Sequence, residues 1–406
     1  MHVAILGGGF QGCCVAIELA MRGARVTLYD RKSALLGGAA TANEGKIHLG
    51  YVYASDASLA TARTLLTGAL TFAPLIQRYI EADVLPASRQ FAYAVHRDSQ
   101  VRVADYESYL DATHGLAATA PGRDSYFGVD LNVGPRRLTQ TELECRFDTA
   151  YIQAAFATPE IAIDPIVIME EMRRRIAQDP RIDVRYNHKI TAVKDDDDGV
   201  RVCSVINDFD EVKSDAFSCV VNTLWDGRLA IDATRGIHPH RKWIHRLKHG
   251  IRFRQTEAVE IPSVTVVLGP FGDLVAYGNG SFYLSWYPVC MTAKSHALAP
   301  PVWRAEPDEP LRSGIITKSL AAMGAIIPRL RGLCPKNISV KAGAIVAWGA
   351  TDIDDCTSEL HRRHEIGLHS RGRYHSIDSG KLTMVPYFAK ACADRILPKK
   401  TLRWSH

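Results

Sequence analysis

No stretch of the 406-residue chain approaches the ~20 uninterrupted apolar residues that a bilayer span needs, because Arg, Asp or Gly breaks every longer apolar run. Cysteines are few and scattered. The nine (Cys13, Cys14, Cys145, Cys203, Cys219, Cys290, Cys334, Cys356 and Cys392) include no CxxC pair and have no histidine at zinc-ligand spacing. That argues against a disulfide framework or a metal site and fits reduced thiols packed as small apolar residues. The strand pattern at residues 3–6 leaves no room before it for a basic, apolar and cleavable leader, so a cytoplasmic location is expected. Charge of one sign is lacking too. A formal net charge of +5 admits anionic ligands without forming a nucleic-acid footprint. Internal repeats and low-complexity linkers are absent as well. What is present is ordinary globular composition, 47% hydrophobic and 23% charged, in a chain too long for one core, which implies two lobes.

The first thirty residues read as strand (3–6), glycine turn (7–12), helix (13–22) and strand (25–30). Gly7, Gly9 and Gly12 form GxGxxG in the context the motif requires. Gly7 permits the tight turn, Gly9 lets the backbone approach a pyrophosphate, and Gly12 lets the helix pack closely on the sheet. Asp30 ends the second strand where a carboxylate accepts hydrogen bonds from ribose hydroxyls. The unit implies a dinucleotide, FAD or NAD. A second glycine pair, Gly37-Gly38 before Ala39-Ala40-Thr41, favours FAD over the cofactor of an NAD-dependent dehydrogenase.

Further along, helical spacing predicts a helix over 58–81 that Pro74 kinks or divides. Residues 82–149 read as short aromatic strands among polar and Gly/Pro segments. Asp164-Pro165 opens a helix over 166–176. The acidic run 195–198, between two alternating stretches, reads as a solvated hairpin turn rather than a metal site. Residues 219–223 read as a buried strand, residues 243–288 as mostly β, and the chain closes with a strand at 344–348 and a helix at 383–397.

The segment Asn43-Glu44-Gly45-Lys46-Ile47-His48-Leu49-Gly50-Tyr51-Val52-Tyr53 resembles the N-x-G-x-[IL]-H-x-G-[YI]-x-Y stretch of the D-amino-acid oxidase-like superfamily of FAD enzymes, notably its 2-hydroxyglutarate and glycerol-3-phosphate oxidising branches. Asp378-Ser379-Gly380-Lys381-Leu382-Thr383 is similar to the GGKLT motif of glycerol-3-phosphate dehydrogenases. The resemblance covers residues 1–80, 160–230 and 340–397. It implies an α/β (α+β overall) fold with a discontinuous Rossmann-like FAD-binding domain (1–81, 150–235 and 335–406) and an interleaved antiparallel-sheet substrate domain (82–149 and 236–334). It further implies that FAD contacts Gly7, Gly9, Phe10, Gln11, Gly12, Asp30, Arg31, Gly38, Ala39, Thr41, Asn43, Lys46, His48, Ile190, Trp225, Gly380, Lys381, Leu382 and Thr383. Helix-end N–H groups or Lys381 would stabilise the negative charge of a reduced flavin. After Val220-Val221-Asn222 the family usually continues Ala-x-Gly. This chain has Thr223-Leu224-Trp225-Asp226-Gly227, a bulkier loop.

Four residues carry the expected chemistry: His48, Tyr287, Arg246 and Lys248. His48 reads as a base for a hydroxy acid, as a covalent flavin attachment point, or as a packed, hydrogen-bonded histidine. Tyr51 and Tyr53 share its segment, lining a pocket or filling the core. Residues 238–254 are the most basic stretch; Arg246 and Lys248 are its candidate clamp for a carboxylate or phosphate, the alternative being a solvated strand face. Tyr283 and Tyr287 sit in an aromatic strand end and line a pocket or a sheet core. The expected activity is oxidation of a C–N or C–O bond in a small anionic amino or hydroxy acid, with oxygen or another electron acceptor. The alternatives are a flavoenzyme or binding protein that meets RNA or a carrier-bound substrate through residues 238–254, and an NAD-dependent dehydrogenase.

Overall fold

Strand His2–Leu6 carries apolar residues on both sides of its pleat, as a strand covered on both faces must. In the computed structural model, which describes residues 1–83, 85–206, 211–255, 260–333 and 335–398, Val3 and Ile5 pack into one cluster and Ala4 and Leu6 into another. Cys334, at the end of the segment assigned to the substrate domain, and residues 399–406, at the end of that assigned to the FAD-binding domain, lie outside the described residues. His2–Leu6 pairs in parallel with Arg25–Tyr29 and with Cys219–Asn222. The sheet continues in parallel to Ile182–Arg185 on one side and to Tyr374–Asp378 on the other, where antiparallel Gly367–Arg371 forms the edge.

Helices Phe10–Met21, Ala60–Ile80 and Val385–Ile396 cover the Val3/Ile5 face. The Ala4/Leu6 face is covered by an antiparallel sheet of His188–Asp196, Gly199–Ile206 and Glu211–Phe217, through Ile190, Val193, Val200, Val202 and Phe217. The acidic run 195–198 turns the first of its hairpins, as expected. Among the described residues no three His, Cys, Asp or Glu side chains are grouped to hold a metal ion, and no helix is long and apolar enough to cross a membrane.

The second layer is a large, mostly antiparallel sheet. From one edge it runs Met291–Ser295, Trp243–Arg254, Ser281–Trp286, Gly272–Ala276, Ser263–Val267, Phe91–His96, Ile152–Ala157 and Arg136–Arg137, with Lys336–Trp348 also pairing along Trp243–Arg254. Helix Glu309–Ile326 buries Ile315, Met323 and Ile326 against one face of this sheet. Ile152–Ala157 and Lys336–Trp348 belong to it by pairing, although both stand in chain segments assigned from sequence to the FAD-binding domain.

Two local readings change. Pro74 does not divide Ala60–Ile80, whose buried face from Leu65 to Tyr79 outweighs the one hydrogen bond that proline removes. The described part of 82–149 holds a single long strand, Phe91–His96, a short helix, Gln140–Arg146, and a long helix, Val103–Thr119. That helix buries Tyr106, Tyr109, Leu110, Thr113 and Ala117 at helical spacing.

Candidate cofactor and active site

One cavity of about 450 Å³ runs from the first βα turn into the cleft between the two sheets. At its outer end the N-terminus of helix Phe10–Met21 has no side-chain cap, so its free N–H groups face the cavity beside Gly9. A Cβ on Gly9 would meet nothing within 4 Å, which leaves an open cradle over the turn. Gly7, at φ +100, makes the turn, and Thr223 Oγ1 donates to the carbonyls of Leu6 and Gly7 to hold it there. Gly12 lies beneath: a Cβ there would stand 1.9 Å from the Gly7 carbonyl oxygen. Asp30 Oδ2 accepts from Gly8 N and Oδ1 from Lys32 N, both at 2.8 Å. Burial raises its pKa, opposed by those two N–H groups. An open anion cradle with a carboxylate one strand away fits a dinucleotide, the pyrophosphate at the helix end and a ribose at Asp30.

The wall along the middle comes from three distant segments. Asn43 donates to the carbonyls of Ala39 and Ala40 and accepts from Gly45 N, so it shapes the loop after the second glycine pair. Trp225, at φ +57, donates Nε1–H to the Ala344 carbonyl at 2.7 Å, and the bulky loop thereby bridges the two lobes. Gln11 donates to the Val385 carbonyl and accepts from Ser379 Oγ. Thr383 Oγ1 donates to the Lys46 carbonyl and accepts from His48 N. These bonds seat the Gly380–Thr383 turn against both N-terminal motifs.

At the deep end Lys46, His48, Lys248, Tyr283, Arg363 and Lys381 line the cavity. Lys46 Nζ donates to Thr265 Oγ1 and, at 2.7 Å, to Asp273 Oδ1, and Lys248 Nζ stands 3.9 Å from Asp273 Oδ2. Asp273 is accordingly held far below the usual carboxylate range, since the two lysines outweigh its burial. Arg363 and Lys381 differ. Neither forms an ion pair among the described residues. Arg363 is 7% exposed, and among the described residues its guanidinium donates to the carbonyls of Leu360, Val346 and Gly380 alone. Burial, then the charge of Arg246, brings its pKa down to about 10. Burial, then Arg363, brings Lys381 down to about 7. Glu44 on the same lining opposes the shift of Lys381, and Asp378 that of Arg363, but neither carboxylate pairs directly with the cation, and two such cations side by side favour the arrival of an anion.

Of the residues anticipated from sequence, Gly7, Gly9, Phe10, Gln11, Asp30, Arg31, Gly38, Ala39, Asn43, Lys46, His48, Ile190, Trp225, Gly380, Lys381, Leu382 and Lys248 line this cavity. Gly12, Thr41, Thr383, Arg246 and Tyr287 do not. Gly12 and Thr383 act behind the wall. Arg246 Nη1 donates to Tyr287 Oη at 2.6 Å and to Asp352 Oδ1 at 2.8 Å, so the charge of the anticipated clamp is matched internally. Two more arginines of the basic stretch behave alike: Arg252 pairs with Asp164, and Arg241 with Glu365. Tyr51 is packed and bonded to His114, whereas the buried Tyr53 hydroxyl has no partner among the described residues, with Lys381 5.9 Å from its ring.

Sequence reasoning passed over Arg363 and Glu160. Arg363 stands in the basic run Leu360-His361-Arg362-Arg363-His364, where nothing local separates it from its neighbours. Glu160 did leave a signal, as the lone charged residue between Ile152 and Ile163.

The family model described as FAD dependent oxidoreductase (DAO) matches residues 2–395. Among curated relatives, the FAD-dependent monooxygenase FPY4 of Fusarium mangiferae is 30% identical over 36% of this chain and 39% of its own. A D-amino acid dehydrogenase of Cereibacter sphaeroides is 33% identical over 29% of this chain and 30% of its own. The chain thus spans well under half the length of the curated relatives it matches. Among solved structures, glycine oxidase from Geobacillus kaustophilus superposes with a TM-score of 0.69 at 14% identity, covering 98% of this chain and 95% of that one, which shows a shared fold. The GxGxxG cradle, the carboxylate at Asp30 and a family match across nearly the whole chain agree, and the protein belongs to the DAO family of FAD-dependent oxidoreductases, with FAD as its cofactor.

Proposed function

We propose that the protein oxidises a C–N or C–O bond of a small amino or hydroxy acid, with Arg363 and Lys381 holding the substrate carboxylate. The observation that carries this reading is the pair of cations at the deep end of the cavity, buried Arg363 and half-buried Lys381, neither held in an ion pair among the described residues. A carboxylate placed between them faces both positive groups and accepts charge-assisted hydrogen bonds from a planar guanidinium. Amino-acid oxidation by a similar dehydrogenase and by a protein of the same fold, as their names state, supports the substrate class. The parallel-sheet lobe would hold FAD through the turn at Gly7–Gly12 and through Asp30, and the antiparallel sheet would close the substrate side through Lys248 and Tyr283. FAD supplies the two-electron acceptor when bound. The chain's own residues orient the acid, exclude water from the deep end and manage its proton. Oxygen or a second carrier then takes the electrons. We retain a cytoplasmic location in this reading; the eight described cysteines are all free thiols.

The experiment is anaerobic mixing of the holoenzyme with a panel of amino acids and hydroxy acids while the flavin absorbance is followed. Bleaching by at least one of them is expected, and a flavin that stays oxidised with every acid sinks the proposal.

A further inference from the structure

Glu160 is fully buried, where a carboxylate is unfavourable unless it is matched. Leu49 N donates to its Oε2 at 2.6 Å, and Tyr93 Oη donates to its Oε1. His48, 3% exposed, stands against it too: its Nδ1 lies 3.6 Å from Oε1 and has no hydrogen-bond partner among the described residues. The histidine is fixed from behind as well, because Thr383 Oγ1 accepts from its backbone N at 3.0 Å. Nδ1 is shut away from solvent while the ring lines the cavity.

A carboxylate beside Nδ1 favours the tautomer with the hydrogen on that nitrogen, which leaves Nε2 as the lone-pair atom for the cavity. We propose that Glu160 is a positioning residue that holds His48 in this tautomer, so that Nε2 takes the hydroxyl proton of a 2-hydroxy acid. The inference rests on the function proposed above and narrows its substrate class.

The balance is simple. The substrate C–H bond breaks and its hydrogen leaves with both electrons to the oxidant, FAD. The O–H bond breaks, its proton goes to Nε2, and its electron pair becomes the second bond of the new carbonyl. The product is a 2-oxo acid, and the imidazolium left behind faces the Glu160 carboxylate. An amine needs less help. Once neutral, its nitrogen lone pair expels hydride unaided, whereas an alcohol must lose a far less acidic proton as the hydride departs.

The groups facing His48 are Glu160, Lys381, Lys46 and the Tyr53 ring, 5.6 Å away. Burial first, then the two lysines, lowers its pKa, and Glu160 works in the other direction, so His48 is neutral and able to accept a proton at pH 7. Burial would raise the pKa of Glu160, but His48, Lys46 and Tyr93 together hold it below its usual value, which keeps it ionised.

The test is stopped-flow anaerobic reduction of the holoenzyme by glycolate, lactate and 2-hydroxyglutarate, and by glycine, alanine and proline, across the acid range. Reduction by a hydroxy acid is expected, with a rate that falls as pH drops through a value below the ordinary ~6.5 of histidine. Glu160→Gln should slow the limiting step about 10- to 100-fold, part of the ~10²–10⁴ that a general base contributes. It should also move the acid limb to lower pH, because the charge that raised His48 is gone. His48→Gln and the double variant should be equally slow. A loss that is uniform in pH, or losses that multiply in the double variant, overturns the pairing. If Glu160→Gln does not fold, ¹⁵N spectra of the unmutated holoenzyme still decide: His48 protonated at Nε2 and bare at Nδ1 overturns it. Reduction by amino acids alone overturns the hydroxyl-proton role and leaves the function proposed above standing; reduction by neither class removes that function itself.

Discussion

Gly9 and Gly12 belong to one motif, yet the structure gives them opposite consequences on substitution. Gly9 has φ −75 and ψ −175, which alanine adopts freely, and a Cβ there has nothing within 4 Å. Gly9→Ala should therefore leave the FAD-free chain as stable as before, within the ~0.5 kcal/mol typical of uncrowded positions. Its methyl group would instead occupy the space through which a pyrophosphate reaches the helix N-terminus. Crowding a well-packed contact by one carbon costs about 1–3 kcal/mol, or about 5- to 150-fold in FAD affinity. At Gly12 the added carbon stands 1.9 Å from the Gly7 carbonyl oxygen. The helix would have to shift about 1.5 Å to restore ordinary contact, so the FAD-free chain itself should lose about 1–3 kcal/mol or more. Thermal unfolding of the stripped proteins, together with FAD titration by quenching of flavin fluorescence, separates the two. If Gly9→Ala binds FAD within about threefold of the unmutated protein, the space above Gly9 is not where the dinucleotide lies.

Arg363→Met should weaken a carboxylate competitor about 10- to 150-fold, the equivalent of a charge-assisted hydrogen bond of about 1.5–3 kcal/mol; an unchanged Kd in titrations of the flavin spectrum would contradict the proposed clamp. Lys381, with a pKa near 7, carries its charge below that pH and loses it above. Competitor affinity should hence fall by up to about tenfold per unit as pH rises through 7, and Lys381→Met should flatten that dependence in the same titration. Asp30→Ala removes the acceptor for Gly8 N and Lys32 N together with the ribose-facing carboxylate. It should raise the Kd for FAD about tenfold or more, and equilibrium dialysis showing full retention of FAD would refute that role.

The first βαβ unit was legible in the sequence because everything that makes it is local. A turn at positive φ, a helix end without a cap and a carboxylate at the end of the next strand are properties of thirty consecutive residues. The hairpin at 195–198 was legible for the same reason. Sheet membership was not. Ile152–Ala157 and Lys336–Trp348 read as strands of either lobe until their partners, Phe91–His96 and Trp243–Arg254, are known. Helix Val103–Thr119 had the right periodicity, hidden by the aromatic and threonine residues that fill its buried face.

The deep end of the cavity shows the same division more sharply. Sequence alone pointed to a dinucleotide, and the family resemblance singled out the motifs of His48 and Lys381, both of which line the cavity. Which arginine lines the cavity was decided by tertiary structure: Arg246 and Arg363 are equally basic in sequence, but Asp352 pairs with the first and Tyr287 bonds it, while backbone carbonyls hold the side chain of the second. Glu160 became meaningful once folding carried it 112 residues along the chain to the ring of His48. A charge acts through what surrounds it within a few ångströms, and for Arg246 and Glu160 the decisive partners, Asp352 and His48, come from distant segments of the chain.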